Sequence, residues 1–182
     1  MTPVIFDPMR AVWHAPETRT ALRAETPEDD PLRLTGSPGA DRLTGGSASD
    51  WLYGVAGDDW MTGGGGADTV FGGDGHDTLT GRDGADALYG GDGNDSLRGN
   101  DGHDTLFGSS GDDTLYGARG DDVLGGGAGD DILRSGRGDD TLYGGGGRDT
   151  LYGFDGADTI AAGAGEDSVR SGTGDDTVAG GS

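Results

Sequence analysis

Aspartate recurs at every ninth position through most of the sequence, and no other feature of the chain is better suited to chemistry. Sixteen successive positions carry it without exception, and we call them the register aspartates. They are Asp41, Asp50, Asp59, Asp68, Asp77, Asp86, Asp95, Asp104, Asp113, Asp122, Asp131, Asp140, Asp149, Asp158, Asp167 and Asp176. Carboxylate oxygens at a fixed spacing can hold a hard divalent cation if the fold brings successive ones together.

The residues around each register aspartate repeat with the same period. Glycine stands two residues before fifteen of the sixteen aspartates and five residues before thirteen of them. A second series at steps of nine, from Leu34 to Val178, contains seventeen residues that are all aliphatic or Met. The unit is G-G-x-G-x-D-x-U-x, where U is a large aliphatic residue, and residues 72–80 and 90–98 are clean copies. A tandem repeat of this regularity predicts an array of identical structural units.

One unit predicts one short strand and one turn. In Thr78-Leu79-Thr80 a single apolar side chain lies between two outward-facing residues, which is the shortest strand with one buried face. The six residues before such a strand are rich in glycine, which permits the positive φ values of a tight turn. Two units make one coil of 18 residues with a strand on each side, so that residues 34–182 form about eight coils. The predicted fold is all-β, a parallel β-roll or β-helix solenoid.

In such a solenoid the chain returns to the same side after two units. Alternate register aspartates, beginning with Asp41, therefore stack on one edge, and the others, beginning with Asp50, stack on the opposite edge. Ionised carboxylates about 5 Å apart repel one another, and a divalent cation between successive coils reverses that interaction. The all-oxygen surroundings favour Ca²⁺ over Mg²⁺. Two stacks of eight aspartates have seven gaps each and accommodate at most fourteen ions.

Backbone oxygens of the central turns are expected to complete the calcium sites. The predicted contributors are Gly72, Asp74, Gly75, Gly81, Asp83, Gly84, Gly90, Asp92, Gly93, Gly99, Asp101 and Gly102. The side chains of some loop acids are expected to be surface charge that attracts calcium, and examples are Asp74, Asp92, Asp112 and Asp130.

Departures from the unit predict differences among the sites. Weak or empty sites are expected between Asp41 and Asp59, because Ala48 and Val55-Ala56 disturb the turns there. The last units are expected to be weaker as well, because Ser135, Ala162 and Ser171 replace glycine. The middle of the array, from Asp68 to Asp131, should therefore fill first.

In this repeat the chain resembles the RTX, or haemolysin-type calcium-binding, family over residues 36–182. The resemblance implies proteins that are unfolded in the low calcium of the cytosol and that fold outside the cell after type I secretion. It also implies that catalytic activity lies in separate domains, and an extracellular location is expected. Family members usually end in a non-repeat tail with the secretion signal, whereas residues 179–182 continue the repeat. Three explanations are open: the sequence is truncated, export uses another route, or the protein is a relative that consists only of repeats.

Composition and charge exclude several classes of function. The 182 residues contain no Cys and no Lys, which excludes disulfides, thiolate sites, a Walker-type phosphate loop and a Schiff-base lysine. A formal net charge of −22 opposes binding to nucleic acid, and no apolar run approaches the ~18 residues of a membrane span. Neither HExxH nor GxSxG occurs, so the chain is predicted not to be an enzyme. His76 and His103 are expected to be exposed and not to bind zinc.

The low apolar content bears on how the repeat folds. Only 31% of the residues are hydrophobic and 42 are glycine, which is typical of a disordered chain. We therefore expect the repeat to be disordered without calcium and rigid with it, as a folding and stability module of a secreted protein.

Aromatic residues beside the buried position are expected to face outward, and they are Trp51, Tyr53, Trp60, Phe71, Tyr89, Phe107, Tyr116, Tyr143 and Tyr152. They leave a second function open, a structural or adhesive surface element that binds a partner or self-associates through this aromatic face or an open end.

Residues 1–33 differ in composition from the repeat. They contain no glycine and five of the six prolines, so that a leader of 33 residues is predicted to precede the repeat. This leader is expected to cap the first coil with Phe6 and Trp13, because the end of a solenoid exposes strand edges. A short helix is expected over Thr18–Glu25, between Pro16 and Pro27.

Overall fold

A computed structural model describes residues 12–14, 21–23 and 30–181 of the chain, with side chains over 30–181. Its nineteen strands are β1 (Val12–His14), β2 (Ala21–Arg23), β3 (Arg33–Thr35), β4 (Arg42–Thr44), β5 (Trp51–Ala56), β6 (Trp60–Gly65), β7 (Thr69–Asp74), β8 (Thr78–Asp83), β9 (Ala87–Asp92), β10 (Ser96–Asp101), β11 (Thr105–Ser110), β12 (Thr114–Arg119), β13 (Val123–Ala128), β14 (Ile132–Arg137), β15 (Thr141–Gly146), β16 (Thr150–Asp155), β17 (Thr159–Ala164), β18 (Ser168–Thr173) and β19 (Thr177–Ala179). No helix that could cross a membrane occurs within these ranges.

The strands alternate between two parallel sheets. The odd-numbered strands form a sheet of ten and the even-numbered strands a sheet of nine, each in chain order. Every pairing within the repeat advances the register by two repeat units, so that Leu97 of β10 lies between Leu79 of β8 and Leu115 of β12. The fold is an all-β parallel solenoid of about eight coils with two repeat units in each, which confirms the predicted architecture.

The leader contributes one strand to each sheet. Strand β1 pairs with β3 and β2 pairs with β4, and in both cases the partners are further apart in the chain than the two repeat units that separate partners elsewhere. The expected helix over Thr18–Glu25 was wrong, because its centre, Ala21–Arg23, is extended and pairs with β4. The backbone of Trp13 pairs with Leu34, whereas Phe6 lies outside the described residues.

Two columns of apolar side chains, one from each sheet, form the core between the sheets. From Leu34 to Ile160 every member of the series at steps of nine is at most 1% exposed. Val169 is only partly buried, and Val178 is 48% exposed because β19 is the last strand of its sheet. Each coil contributes one of these side chains from each sheet, so the stability of this narrow core depends on continuous stacking along the axis.

The strands are longer and the turns shorter than the repeat predicts. Strands β5 to β18 each contain six residues, and only the three residues Gly-x-Asp remain as a turn. The glycine-rich half of the unit extends the strand because its backbone pairs with the next coil, as Gly73 does with Gly91. Both of these glycines have a positive φ, near +116° and +119°, which bends each strand without ending its pairing.

Candidate metal centre

Each register aspartate directly precedes a strand, and from Asp59 onward it is the last residue of a three-residue turn. The fourteen from Asp41 to Asp158 are at most 5% exposed, and Asp167 and Asp176 are half-buried. The carboxylates therefore lie inside the two edges of the solenoid and not in solvent. Alternate aspartates share an edge, as a coil of two repeat units requires.

A ladder of hydrogen bonds joins the register aspartates of successive coils. The backbone N–H of Asp77 donates to Oδ1 of Asp95, one coil later, at 2.8 Å. The same bond recurs along both edges, from the pair Asp41 and Asp59 to the pair Asp158 and Asp176, at 2.7–3.0 Å. One oxygen of each carboxylate is thus held by the preceding coil, which fixes the direction of the other.

That second oxygen has no hydrogen-bond partner in most coils. Oδ2 is fully buried and unpaired in twelve of the register aspartates, from Asp59 to Asp158. A buried polar atom of this kind is costly unless water, an ion or a proton satisfies it. The row of unpaired oxygens is therefore the feature of the fold that most requires a ligand.

A glycine faces eleven of the twelve unpaired oxygens, and Ser135 faces that of Asp140. A Cβ added at Gly72 would lie within 3.0 Å of both Oδ2 of Asp77 and the carbonyl oxygen of Gly90 in the next coil, so no side chain fits there. We call this arrangement of glycine, carboxylate oxygen and next-coil carbonyl oxygen the aspartate cradle. The same pair of oxygens recurs opposite Gly54, Gly90, Gly126 and Gly153. Oxygen donors from two coils are the ligand type that suits Ca²⁺.

Backbone oxygens are essential to this donor set. Among the described residues, no three His, Cys, Asp or Glu side chains come close enough together to hold a metal ion. A cation in a cradle would therefore rely on carboxylate oxygens supplemented by carbonyl oxygens. Calcium accepts such mixed sets of six to eight oxygens, whereas Mg²⁺ requires a tighter octahedron.

The acidities of the register aspartates reflect their burial. Burial raises the pKa of the twelve register aspartates from Asp59 to Asp158, while the hydrogen bond from the preceding coil lowers it and neighbouring carboxylates raise it further. The pKa is about 7 for Asp59, Asp68, Asp113 and Asp122, and about 6 for Asp95, Asp104, Asp131 and Asp140. Burial is the largest cause of these raised pKa values. Loss of hydration therefore opposes ionisation more strongly than the repulsion between stacked carboxylates, which the sequence had indicated as the main obstacle to folding without calcium.

The first cradles differ from the others. Oδ2 of Asp41 accepts hydrogen bonds from the backbone N–H and the hydroxyl of Ser37, and Oδ2 of Asp50 accepts one from the N–H of Gly46. The sequence predicted weak or empty sites at Asp59 as well as at Asp41 and Asp50. Oδ2 of Asp59 is nevertheless unpaired, as it is in the central coils. The change from a hydrogen-bonded Oδ2 to an unpaired one thus falls between Asp50 and Asp59.

Ser135 changes one cradle near the other end of the array. It occupies the glycine position opposite Asp140, is completely buried, and donates a hydrogen bond to the carbonyl oxygen of Gly153 at 2.8 Å. The nearby hydroxyl of Ser135 also lowers the pKa of Asp140. The serine side chain therefore occupies a position where the other cradles have only the α-carbon of glycine.

The predicted backbone ligands lie in two different environments. The carbonyl oxygens of Gly72 and Gly90 line cradles, and the α-carbons of Gly81 and Gly99 face the carboxylates of Asp86 and Asp104. In contrast, the carbonyl oxygens of Asp74, Asp92 and Asp101 accept N–H groups of Gly57, Gly75 and Gly84 in the preceding coil. The turn glycines Gly75, Gly84, Gly93 and Gly102 lie against turn carbonyls of the preceding coil. The side chains of Asp74, Asp83, Asp92 and Asp101 are exposed.

A second ladder, on the outside of each turn, was not recognised in the sequence. The side chain just before a register aspartate accepts the backbone N–H of its counterpart one coil later, as His76 Nδ1 does from Asn94 at 2.8 Å. Its acceptors are Ser49, Asp58, His76, Asn94, His103, Asp112, Asp121, Asp130 and Asp139. We call this the outer ladder, and the preference for Asp, Asn, His and Ser at this position was its only signal. The two histidines are exposed, and their hydrogen bonds stabilise the turns.

Comparison with known proteins identifies the repeat. A family model described as RTX calcium-binding nonapeptide repeat matches the chain over residues 35–70, 62–97, 89–124, 98–133, 125–153 and 152–182. These matches together span residues 35–182, which is most of the chain. No curated protein matches the chain.

Proposed function

Because the chain belongs to the family of RTX calcium-binding nonapeptide repeat proteins, we propose that residues 34–182 fold when Ca²⁺ fills the aspartate cradles along both edges. The twelve buried carboxylate oxygens without hydrogen-bond partners are the observation that carries this proposal. The register aspartates and the cradle carbonyl oxygens would hold the ions. Burial and neighbouring carboxylates both disfavour the ionised form of these aspartates, and the positive charge of Ca²⁺ in the cradle would offset both effects.

The energetic reason for coupling folding to calcium is the placement of negative charge. Folding buries the carboxylates of the twelve register aspartates from Asp59 to Asp158, and their raised pKa values show that the charged form is disfavoured there. A bound ion stabilises only the folded chain by RT ln(1 + [L]/Kd), about 1.4 kcal/mol per site at a calcium concentration ten times Kd. A dozen such sites contribute more than the net stability of an ordinary domain, about 5–15 kcal/mol.

This coupling suits a folding and stability module of a secreted protein. A chain that requires calcium stays unfolded where calcium is scarce and folds where calcium is abundant. We propose an extracellular location on this ground, with type I secretion as the route that the family favours. The role is structural, and catalysis is no part of the proposal.

Circular dichroism during calcium and EDTA titrations tests the proposal. We expect β structure to appear cooperatively with Ca²⁺, to be lost with excess EDTA, and not to be restored by the same concentration of Mg²⁺. Isothermal titration calorimetry should count several ions per chain. A β spectrum that persists in excess chelator at neutral pH would contradict calcium-dependent folding.

A specific surface feature supports the adhesive alternative. On the odd-numbered sheet, Tyr53, Phe71, Tyr89 and Phe107 stack in line with ring centroids 4.9, 4.8 and 6.0 Å apart. Trp51, beside this column, is 44% exposed. Such a face can bind a partner or a second copy of the chain. Size-exclusion chromatography with calcium separates the two functions, because a monomer favours the folding module and calcium-dependent assembly favours adhesion.

A further inference from the structure

The arginines of the repeat are concentrated on one sheet, although they are scattered along the sequence. Strands β4 to β18 of the even-numbered sheet carry seven arginines and three aspartates, a difference of +4. Strands β3 to β19 of the odd-numbered sheet carry one arginine and two aspartates, a difference of −1. A chain with a net charge of −22 thus presents one face with an excess of positive charge.

Five of these even-sheet side chains form an alternating column. The pairing register places Arg98, Tyr116, Arg134, Tyr152 and Arg170 side by side on strands β10, β12, β14, β16 and β18. Guanidinium groups lie 5.3–5.7 Å from the tyrosine ring centroids, and the ring of Tyr152 has one on each side. We call this column the Arg–Tyr ladder. It runs parallel to the solenoid axis.

The arginines of the ladder form no ion pair with a carboxylate within the part of the chain that the structure describes. The ion pairs of the described residues on this face join Arg119 to Asp101 and Arg137 to Asp155, and they do not include Arg98, Arg134 or Arg170. A guanidinium stacked on an aromatic ring keeps its N–H groups at its edge, where they remain able to bind an anion. The ladder therefore presents a line of fixed cationic donors to solvent.

We propose that the Arg–Tyr ladder binds an extended acidic polysaccharide, with its sugar carboxylates on the guanidinium groups. Two strand spacings separate successive arginines, about 9.6 Å, so a ligand that binds all three must be a polymer lying along the axis. The planar guanidinium fork matches a carboxylate. Beside the ladder lies a parallel column in which Ser96 and Thr114, and then Thr150 and Ser168, provide hydroxyl groups for sugar hydroxyls on either side of Ile132.

The ladder is less suited to single-stranded nucleic acid. Binding of that kind relies on bases stacking on open aromatic faces. Here the flanking guanidinium groups cover the faces of the Tyr152 ring, and Arg98 covers a face of Tyr116. The ladder therefore presents the edges of its guanidinium groups to a ligand, and it lacks the open aromatic faces on which bases would stack.

This inference rests on the proposed function, since calcium must fold the chain and offset its negative charge before a polyanion can approach. The test uses hyaluronate, a soluble polymer with one carboxylate per disaccharide, and neutral dextran in surface plasmon resonance with calcium present. The variant Arg134→Gln with Arg170→Gln should weaken hyaluronate binding about tenfold or more, as expected for the loss of charge-assisted hydrogen bonds. The control, Arg33→Gln with Arg148→Gln, has the same net charge and should bind as the wild type does.

Several outcomes would overturn the inference. These are no hyaluronate binding by the wild type, equal binding of dextran, an equal loss in the control pair, or equally tight ladder-dependent binding of oligothymidylate. Circular dichroism of each variant with calcium is recorded in parallel. Calcium-induced β structure without hyaluronate binding refutes the ladder alone, whereas absence of that structure refutes the proposed function.

Discussion

At the scale of single residues, adjacent aspartates in one turn have opposite roles. Asp113 is 1% exposed, with Oδ2 unpaired in a cradle, whereas the neighbouring Asp112 is exposed and belongs to the outer ladder. Asp113→Asn keeps an oxygen that can accept the N–H of Asp95 but removes the anionic oxygen. We expect this variant to lose about one or two bound calcium ions, because each carboxylate borders two gaps between coils.

Asp112→Asn is the matched control, since it removes the same charge one residue away. Its amide oxygen can still accept the N–H of Asp130, so calorimetry should give the calcium stoichiometry of the wild type. Equal losses of calcium in the two variants would show that total charge, and not the cradle, determines binding.

Ser135 provides a second prediction at this scale. Its buried hydroxyl occupies the cradle of Asp140, so Ser135→Gly should open that cradle and add about one calcium ion per chain. Ser110→Gly, at an exposed strand end, is the control and should not change the stoichiometry. Direct titration against a calibrated chelator counts the ions, and an unchanged number for Ser135→Gly would contradict the role assigned to its hydroxyl.

The sequence identified the aspartates of each edge but not the roles of their two oxygens. A period of two repeat units is enough to place Asp77 beside Asp95. Which oxygen the preceding coil holds depends on backbone direction within the turn, which periodicity does not contain. The same reason explains why His76 and His103 seemed to have no structural role, although each accepts a backbone N–H at 2.8 Å.

At the scale of strands, the second glycine of each unit is where the strand bends. Six other residues occupy this position with a positive φ, and they are Val55, Arg82, Asn100, Ser109, Ala118 and Phe154. Such a conformation costs a residue with a side chain about 1–3 kcal/mol, and the cost is greatest when the side chain is β-branched. The strands therefore tolerate local strain because pairing with both neighbouring coils holds them.

Val55→Gly should relieve this strain in β5. We expect the calcium-bound chain to gain about 1 kcal/mol, since the relief of strain exceeds the added entropy of glycine in the unfolded state. Thermal unfolding at fixed calcium concentration measures the change. Asn100→Gly should gain less, because Asn tolerates positive φ better than Val does. A loss of stability in the Val55 variant would show that its exposed side chain makes contacts that outweigh the strain.

The lengths of strand and turn were the part of the fold least accessible from sequence. Glycine-rich stretches ordinarily indicate turns, and the first six residues of the unit were assigned to one on that basis. The structure assigns three of them to the strand, because the neighbouring coil supplies hydrogen bonds to a backbone that would otherwise be unpaired. Local propensity could not show this, since the partner lies two repeat units away in the chain.

At the scale of the whole molecule, charge is sorted by position in the coil. The turns carry most of the acidic residues, and the even-numbered sheet carries most of the arginines. Arg98, Arg134 and Arg170 lie at intervals of two coils, so a search at multiples of the coil length would have aligned them in the sequence. That their guanidinium groups stack on Tyr116 and Tyr152 required the structure.

The buried carboxylates give the whole molecule an unusual dependence on pH when calcium is absent. Eight register aspartates have folded pKa values of about 6 or 7, compared with about 3.9 for an unfolded Asp. Between these values the folded chain binds more protons than the unfolded chain, so the stability of the folded state rises as pH falls. Their contribution is fully present below about pH 4 and is lost as pH rises through about 6–7.

Acid should therefore promote folding of the calcium-free chain, and protons should compete with calcium for the same oxygens. We expect circular dichroism of the EDTA-treated protein to show increasing β structure between about pH 8 and pH 5, and calcium affinity at calorimetry to fall over the same interval. Protonation removes the buried charge and provides a hydrogen for Oδ2 to donate, so a proton partly replaces the metal. Asp113→Asn, which is neutral at every pH, should reduce the slope of the transition. A calcium-free chain that loses β structure on acidification would show that the raised pKa values of the buried aspartates do not control folding.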